Sequence, residues 1–305
     1  MPSGDLPSPQ VLVGGAMSDV FGVLAAVLSS SIGGLSVGVT RFVVGATDPI
    51  TLGAFRFGIG AALLLPFALR QRHRWPDGPA LVPVAALGLL YFALFPILFN
   101  ASLIYTTAAR GSLALSTLPV LTMLVGAFLR AEPLTLRKST GVALATIGVA
   151  IALLTNLGTA PAGAWRGDLL MVAAAFCMAF YSVWSRPLAL AYGTIVYTTL
   201  AMATGGLALA GIAWAHGGFA VTAAFDTTQW SLVAFLGVFG GALTFLLWSY
   251  ALERTTPTRV AISVTVNPIA SAIFGAYALN EPITINLVVG LVIVAVGIAV
   301  ATSNR

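Results

Sequence analysis

The sequence predicts an all-α membrane protein: ten transmembrane helices, folded as two inverted five-helix repeats. Three observations carry this. Of 305 residues, 59% are hydrophobic and only 8% charged, against roughly 25% charged in soluble domains; the mean hydropathy is +1.00. A chain this apolar finds a stable surface only in lipid. Second, ten apolar stretches follow one another at about 20 residues each, the length that crosses a hydrocarbon layer of about 30 Å at about 1.5 Å per residue. Third, the chain is written twice. TTAARGSLALSTLP at 106–119 returns as TTPTRVAISVTVNP at 255–268. The same shift, 255 − 106 = 149, takes Glu132-Pro133 to Glu281-Pro282, Gly141 to Gly290, Gly148 to Gly297, Gly88 to Gly237 and Asp19 to Asp168. Self-similarity at a fixed period governs the whole fold reading.

Taken in order, residues 1–17 read as a disordered tail. Its opening MPSGDLPSPQ carries no Lys or Arg and no apolar core, so it is no signal peptide. The first repeat, 18–156, holds spans at 19–40, 49–69, 81–103, 109–129 and 134–155. The second, 157–305, holds spans at 168–188, 194–214, 230–251, 259–279 and 283–302. The connections are short and rich in Pro and Gly, as in Trp75-Pro76-Asp77-Gly78-Pro79. The single cysteine, Cys177, rules out an intrachain disulfide.

Lys and Arg fix the orientation, because they stay on the cytoplasmic side. With the N-terminus inside, ten fall there: Arg70, Arg72, Arg74, Arg130, Arg137, Lys138, Arg186, Arg254, Arg259 and Arg305. Three fall outside, Arg41, Arg110 and Arg166, and Arg56 lies within the second span. Both termini are therefore expected in the cytoplasm. Five spans per repeat is an odd number, so the second copy starts on the opposite face and is inverted. Inverted repeats are the architecture of many secondary carriers, with the substrate site near the midplane between them.

Candidate site residues follow from polar and aromatic stripes. Ser263, Asn267 and Ser271 share one helix face at i, i+4, i+8, and Ser112 and Ser116 do the same in the other copy. Such groups either line a wet cavity or bond helix to helix. Asn100 is costly to leave facing lipid and points to a cavity. Tyr91, Phe95 and Phe99 form one aromatic stripe and Phe176, Phe180 and Trp184 another, with Tyr181 and Trp248 nearby; they suit either a wall for an amphiphilic solute or ordinary packing. Pro119 and Pro268 fall within spans and are candidate hinges, since each removes a backbone donor and kinks its helix. Arg56 is the one charge well inside a span, and either snorkels, pairs with Asp48, or meets a substrate. Glu132 and Glu281 read as structural helix ends. No Asp or Glu sits mid-span, so a carboxylate proton relay has no evident carrier.

Enzyme chemistry finds little footing. Gly34-Leu35-Ser36-Val37-Gly38 fits G-x-S-x-G by letter, but the only histidines are His73, in the Arg70–Arg74 loop, and His216, at the far end of the seventh span, and a serine nucleophile needs a base. No phosphate loop or metal-ligand spacing occurs, so neither cofactor nor metal is expected. The Arg70–Arg74 run is explained by topology and is no nucleic-acid patch.

The repeated TT…R…P…EP…G…G pattern, Asp168-Leu169-Leu170 opening the sixth span, and LGAFRFGIGAALLLP at 52–66 resemble the drug/metabolite transporter superfamily. Within it the chain is similar to the ten-helix EamA-type exporters, most of all those of the YddG type that export amino acids. The resemblance covers 19–302. It implies a plasma-membrane secondary transporter that exports amino acids or related small amphiphilic metabolites by alternating access. The implied central cavity is built from helices 1, 3, 4, 6, 8 and 9. Relatives often carry Trp in helices 1 and 6; here Ser29 and Met178, again 149 apart, stand instead, so this cavity is lined differently. A phosphate-rich ligand would want several buried cations where only Arg56 is offered, and a cationic drug would want a mid-span carboxylate. A zwitterion or neutral solute fits best. A drug or nucleotide-sugar carrier, and a membrane-embedded enzyme or lipid-handling protein, are the alternatives. The expected partners are a small-molecule substrate and the bilayer, with no nucleic acid; a monomer is plausible, and the sequence leaves the oligomeric state open.

Overall fold

A computed structural model describes residues 9–43, 47–106, 114–153, 163–267, 269–270 and 285–302. Helices and turns make up this structure, and no strand occurs among the described residues. Helix α1 runs Pro9–Val43, α2 Pro49–Arg70, α3 Gly78–Leu89, α4 Phe95–Tyr105, α5 Leu118–Phe128 and α6 Leu136–Leu153. Then come α7 Ala164–Tyr192, α8 Thr194–Ala215, α9 Thr227–Phe235, α10 Thr244–Arg254, α11 Pro257–Ile262 and α12 Ile285–Thr302. A π-helical stretch, Leu90–Leu94, joins α3 to α4, and another, Leu236–Leu243, joins α9 to α10. Each joined pair is one membrane-length rod.

Among the described residues, six helices are long and apolar enough to cross a bilayer: Met17–Ser36, Pro49–Arg70, Gly78–Ser102, Ala164–Tyr192, Thr194–Ala215 and Thr227–Arg254. Large apolar side chains stand outward, as at Phe128 (85% exposed) and Trp214 (80%), where water would penalise them and lipid does not. The protein is a multi-pass membrane protein.

The helix ends are written in the sequence by chemistry already familiar from soluble helices. Asp48 caps α2, its Oδ1 accepting the N–H groups of Ile50 (2.9 Å) and Thr51 (3.0 Å), with Pro49 in the first turn where its missing N–H is harmless. Asp226 and Gln229 close a capping box on α9. These ends also establish which helices share a face. A Cβ on Gly218, just past α8, would lie 2.7 Å from Asp48 Oδ2, so α8 ends where α2 begins. A Cβ on Gly193, between α7 and α8, would lie 2.8 Å from Arg74 Nη1, so that junction sits where α2 finishes. The bundle thus has an Asp48 end and an Arg74 end, and the six long helices run between them.

Glycine sets one further contact. A Cβ on Gly141 would meet the Gly297 carbonyl at 2.7 Å, and one on Gly148 the Gly290 carbonyl at 2.9 Å. Only hydrogen fits there, and α6 and α12 therefore approach backbone to backbone.

One expectation is corrected: residues 9–17, read as tail, belong to α1. The fourth expected span is interrupted close to Pro119: the chain turns at Ser116–Thr117 and Pro119 sits in the first turn of α5. That placement is cheaper, because a first-turn residue needs no N–H partner. The rod of the ninth expected span likewise tightens, from α11 into the 3₁₀ turn Ser263–Thr265. Pro268, Ser271 and Ser112 lie outside the described residues.

Candidate solute-binding site

The two π-helical stretches organise the interior. A π-turn carries an extra residue, which loosens the regular i to i−4 ladder and turns backbone carbonyls outward. In the second stretch the Gly240 carbonyl accepts from Arg56 Nε at 3.0 Å and Nη2 at 2.7 Å. Thr244 Oγ1 donates to the Phe239 carbonyl at 2.8 Å, and Ser29 Oγ of α1 donates to the Thr244 carbonyl at 2.7 Å. The Arg56 guanidinium also lies 5.6 Å from the centre of the Phe57 ring. Arg56 therefore neither snorkels nor pairs with Asp48, whose carboxylate is committed to capping α2. No carboxylate among the described residues forms an ion pair with Arg56.

Tyr91 holds the equivalent place in the first stretch, since 240 − 91 = 149. Its ring stacks on Tyr181 of α7 at 4.3 Å between centroids and touches Phe95 (5.0 Å) and Phe245 (5.5 Å). Phe92 joins from the next position, 4.9 Å from Phe245 and 5.2 Å from Phe57. Such ring pairs each add about 0.5–1.5 kcal/mol beyond area burial. Behind them Tyr197 donates to Ser185 Oγ at 2.6 Å. Tyr181 OH lies beside Tyr197, Ser185 and Ser249, yet meets none of them at hydrogen-bond geometry. Trp248 Nε1, on α10, is also buried without an acceptor. Tyr181 is 0% and Trp248 3% exposed.

A polar seam joins α1 to the α11 segment. Ser263 accepts from Ser30 at 2.8 Å while its own hydroxyl reaches the Val260 (2.7 Å) and Ala26 (3.1 Å) carbonyls. A turn later Asn267 packs on Gly33 and Gly34: a Cβ on Gly34 would fall 2.5 Å from the Asn267 carbonyl. The Asn267 Oδ1 atom is buried and without a donor. Ser263 is thus used as helix-to-helix bonding, and Asn267 keeps an open acceptor.

The structure brings Tyr91, Phe95, Tyr181 and Arg56 into one interior region and puts Ser263 and Asn267 on the α1 seam. Phe180 and Trp184 belong to a separate stack on α7 with Phe176, spaced 4.8 and 5.1 Å. Trp184 is 47% exposed and Phe176 45%. Asn100 is half-buried on α4, and Ser116 is buried at the turn before Pro119.

Sequence reasoning missed a set of fastenings between segments distant in the chain. Thr255 Oγ1 donates to Asp19 Oδ1, and Arg259 pairs with Asp19 Oδ2. Thr106 Oγ1 donates to Asp168 Oδ1 at 2.8 Å. Glu132 Oε2 pairs with Lys138 at 2.6 Å while its Oε1 accepts the Thr258 N–H at 3.0 Å. The signal was present: Asp19 and Asp168, like Thr106 and Thr255, are 149 apart.

A bundle of membrane-crossing helices with charge, hydroxyls and unpartnered polar atoms held inside it defines a multi-pass membrane protein with a polar interior. The comparisons agree. The EamA-like transporter family profile matches twice, over residues 20–154 and 165–303. An uncharacterized transporter of Archaeoglobus fulgidus is 24% identical over 273 residues, 89% of this chain and 95% of its own. Another from the same organism is 29% identical over 263 residues, 85% of this chain and 89% of its own. The uncharacterized transporter YyaM of Bacillus subtilis is 23% identical over 276 residues, 88% and 89% of the two chains. One solved crystal structure shares the fold with a TM-score of 0.74 at 23% identity, over 93% of this chain and 95% of that one. The chain belongs to the EamA-like transporter family, and it is a membrane transporter.

Proposed function

We propose that the protein exports amino acids or related small amphiphilic metabolites across the plasma membrane by alternating access. On this reading it has ten transmembrane helices in two inverted repeats, 18–156 and 157–305, with both termini cytoplasmic. The observation that carries the substrate class is the set of interior polar groups left open. Tyr181 OH, Trp248 Nε1 and Asn267 Oδ1 are buried without partners, and Arg56 is met by one carbonyl. A buried unsatisfied polar group costs about 1–3 kcal/mol, a cost that a polar ligand removes. An amino acid offers a carboxylate for Arg56 or the Trp248 N–H and an ammonium for the Asn267 carbonyl oxygen, while its side chain suits the Tyr91–Phe95–Tyr181 rings. The repeat at 149, with π-helical stretches at matching positions, supports two inverted units that exchange roles.

The test is counterflow in proteoliposomes, with purified protein and a panel of labelled amino acids. Exchange of at least one is the expected outcome. No exchange with any of them, alongside exchange of a nucleotide sugar or a drug, ends the amino-acid assignment.

A further inference from the structure

We propose that Asp19 with Thr255 and Arg259, and Asp168 with Thr106, are the latches of two opposite gates, one of which must open for the solute to leave on each side. The inference rests on the alternating-access reading above. Its basis is geometric. Asp19 lies early in the first long helix, and its carboxylate takes the Thr255 hydroxyl on one oxygen and the Arg259 guanidinium on the other. Thr255 follows the last residue of α10 and Arg259 lies in α11, so this contact ties α1 to the α10–α11 corner, 236 residues away in the chain. Asp168 lies early in α7 and takes the Thr106 hydroxyl at 2.8 Å. Thr106 follows the last residue of α4, so this contact ties α7 to the end of the α3–α4 rod.

The two contacts are at opposite ends of the bundle. The α3–α4 rod starts at Gly78, just after Arg74, and so finishes at the Asp48 end, where it meets Asp168. The α9–α10 rod starts at Thr227 near the same end as Gly218, since Phe55 of α2 meets both the Phe219 and the Trp230 rings at 5.4 Å, and so it finishes at the Arg74 end, where it meets Asp19. Each contact joins one half of the sequence to the other, with the partners exchanged: Asp of the first half with Thr of the second, Thr of the first half with Asp of the second. Adding 149 to Asp19 gives Asp168, and to Thr106 gives Thr255. Arg110, 149 before Arg259, lies outside the described residues.

This arrangement has a mechanical consequence. Rocking the halves apart at one end must break one set of contacts and can leave the other intact. Both are made in this structure, so opening either way starts from a fastened state. Carboxylate bonds to hydroxyl and guanidinium are strong when made and directional, which suits a contact that has two discrete states.

The lone cysteine makes the test direct. In a Cys177→Ser background, Phe95→Cys on α4, beside the rings proposed to meet the solute, serves as reporter, and a membrane-impermeant maleimide is applied separately to each face of oriented vesicles. Asp19→Asn should raise labelling from the Arg74 face about fivefold or more relative to the opposite face, and Asp168→Asn should shift that ratio the other way by a similar factor. Thr255→Val and Thr106→Val, which spare the carboxylates and so the fold, should give the same two directions at smaller size. Asp19→Glu should recover part of the original ratio. A purely structural role would lower protein yield without opposed shifts. Unchanged ratios, or shifts of the same sign from both ends, overturn the latches while a reporter that labels reciprocally with added solute keeps alternating access standing. A reporter that labels from both faces with no reciprocal change between them removes alternating access, and the latches with it.

Discussion

Arg56 reaches from α2 to the Gly240 carbonyl with two donors, Nε at 3.0 Å and Nη2 at 2.7 Å. An ionised side chain inside a span costs about 2.5–3.5 kcal/mol on insertion scales and is a functional group by default. Here the cation is met by a carbonyl that the π-helical stretch turns toward it. Lysine cannot reproduce this fork, since an ammonium is a single point donor. Arg56→Lys should therefore keep the protein in the membrane and lower transport by about tenfold or more, in line with the loss of one charge-assisted bond of about 1.5–3 kcal/mol. Initial uptake rates in proteoliposomes, normalised to protein, measure this. Wild-type rates in the lysine variant would remove Arg56 from the site.

The α6–α12 contact predicts a sharp contrast between glycines. A Cβ at position 297 would stand 2.7 Å from the Ala145 backbone nitrogen and 2.8 Å from the Gly141 carbonyl, whereas nothing lies within 4 Å of one at position 211. Gly297→Ala should destabilise the protein by about 1–3 kcal/mol, the usual cost of overpacking. Gly211→Ala should be neutral or slightly stabilising, because alanine is the better helix former. Thermal unfolding in detergent compares them. Equal midpoints for the two variants would contradict the backbone-to-backbone contact.

Glu132 and Lys138 form the most enclosed ion pair among the described residues, with side chains 5% and 10% exposed. Removing one partner of a buried pair strands the other and costs about 3–5 kcal/mol. Glu132→Gln keeps an acceptor for the Thr258 N–H but strands Lys138. Adding Lys138→Met to Glu132→Gln should return much of the loss, and the double-mutant cycle on unfolding midpoints reads the coupling. Additive single losses would mean that the pair contributes nothing as a pair.

These contacts also mark what the letters could and could not tell. Six of the expected spans were legible because about 20 apolar residues mean a crossing in any context. The close α6–α12 packing was legible because Gly141, Gly148, Gly290 and Gly297 repeat on one face. Asp48 before Pro49 is a readable helix start, yet it was also a candidate partner for Arg56, and only geometry shows that its oxygens are occupied. The partner of Arg56 was not readable at all. It is a backbone carbonyl, and its direction depends on a π-turn that no residue in Leu236–Leu243 announces. Likewise helical spacing aligned Phe176, Phe180 and Trp184 without saying which way that stripe faces. The Asp–Thr contacts were visible as repeated letters, but their exchange between halves is a property of the folded chain.

Asp48 gives a pH dependence outside the spans. Desolvation pushes its carboxyl up, but the Thr51 hydroxyl and the Thr51 and Ile50 N–H groups together outweigh this, and its pKa sits below the usual value, with His216 adding a small pull downward. A pKa lowered by folding means that the stabilisation is complete above the unfolded value, about 3.9, and disappears as pH falls through the folded one. Asp48→Asn keeps a capping oxygen and removes only the charge, so it should cost about 0.3–1 kcal/mol near neutral pH. The gap between wild type and variant should begin to narrow near pH 4 and close as pH falls through the lower folded value. Unfolding midpoints taken across pH 3 to 7 test it, and a gap that persists at the acid end would contradict the assignment.

Tyr181 and Trp248 separate stability from function. Each buries a polar atom that meets no partner, so in the empty protein the tyrosine hydroxyl is a cost of about 1–3 kcal/mol rather than a support. Tyr181→Phe keeps the stack on Tyr91 and deletes only that oxygen. It should leave the unfolding midpoint unchanged or raise it. If the hydroxyl meets the solute, the same change should raise KM for counterflow by about fivefold to tenfold, the worth of one hydrogen bond of about 1–1.5 kcal/mol. Core packing makes the opposite forecast. If Tyr181 served packing through a hydrogen bond to Ser249 or Tyr197, removing the oxygen would lower the midpoint and leave KM alone. Measuring both quantities on one preparation decides between them, and a lowered midpoint with unchanged KM would take Tyr181 out of the solute site.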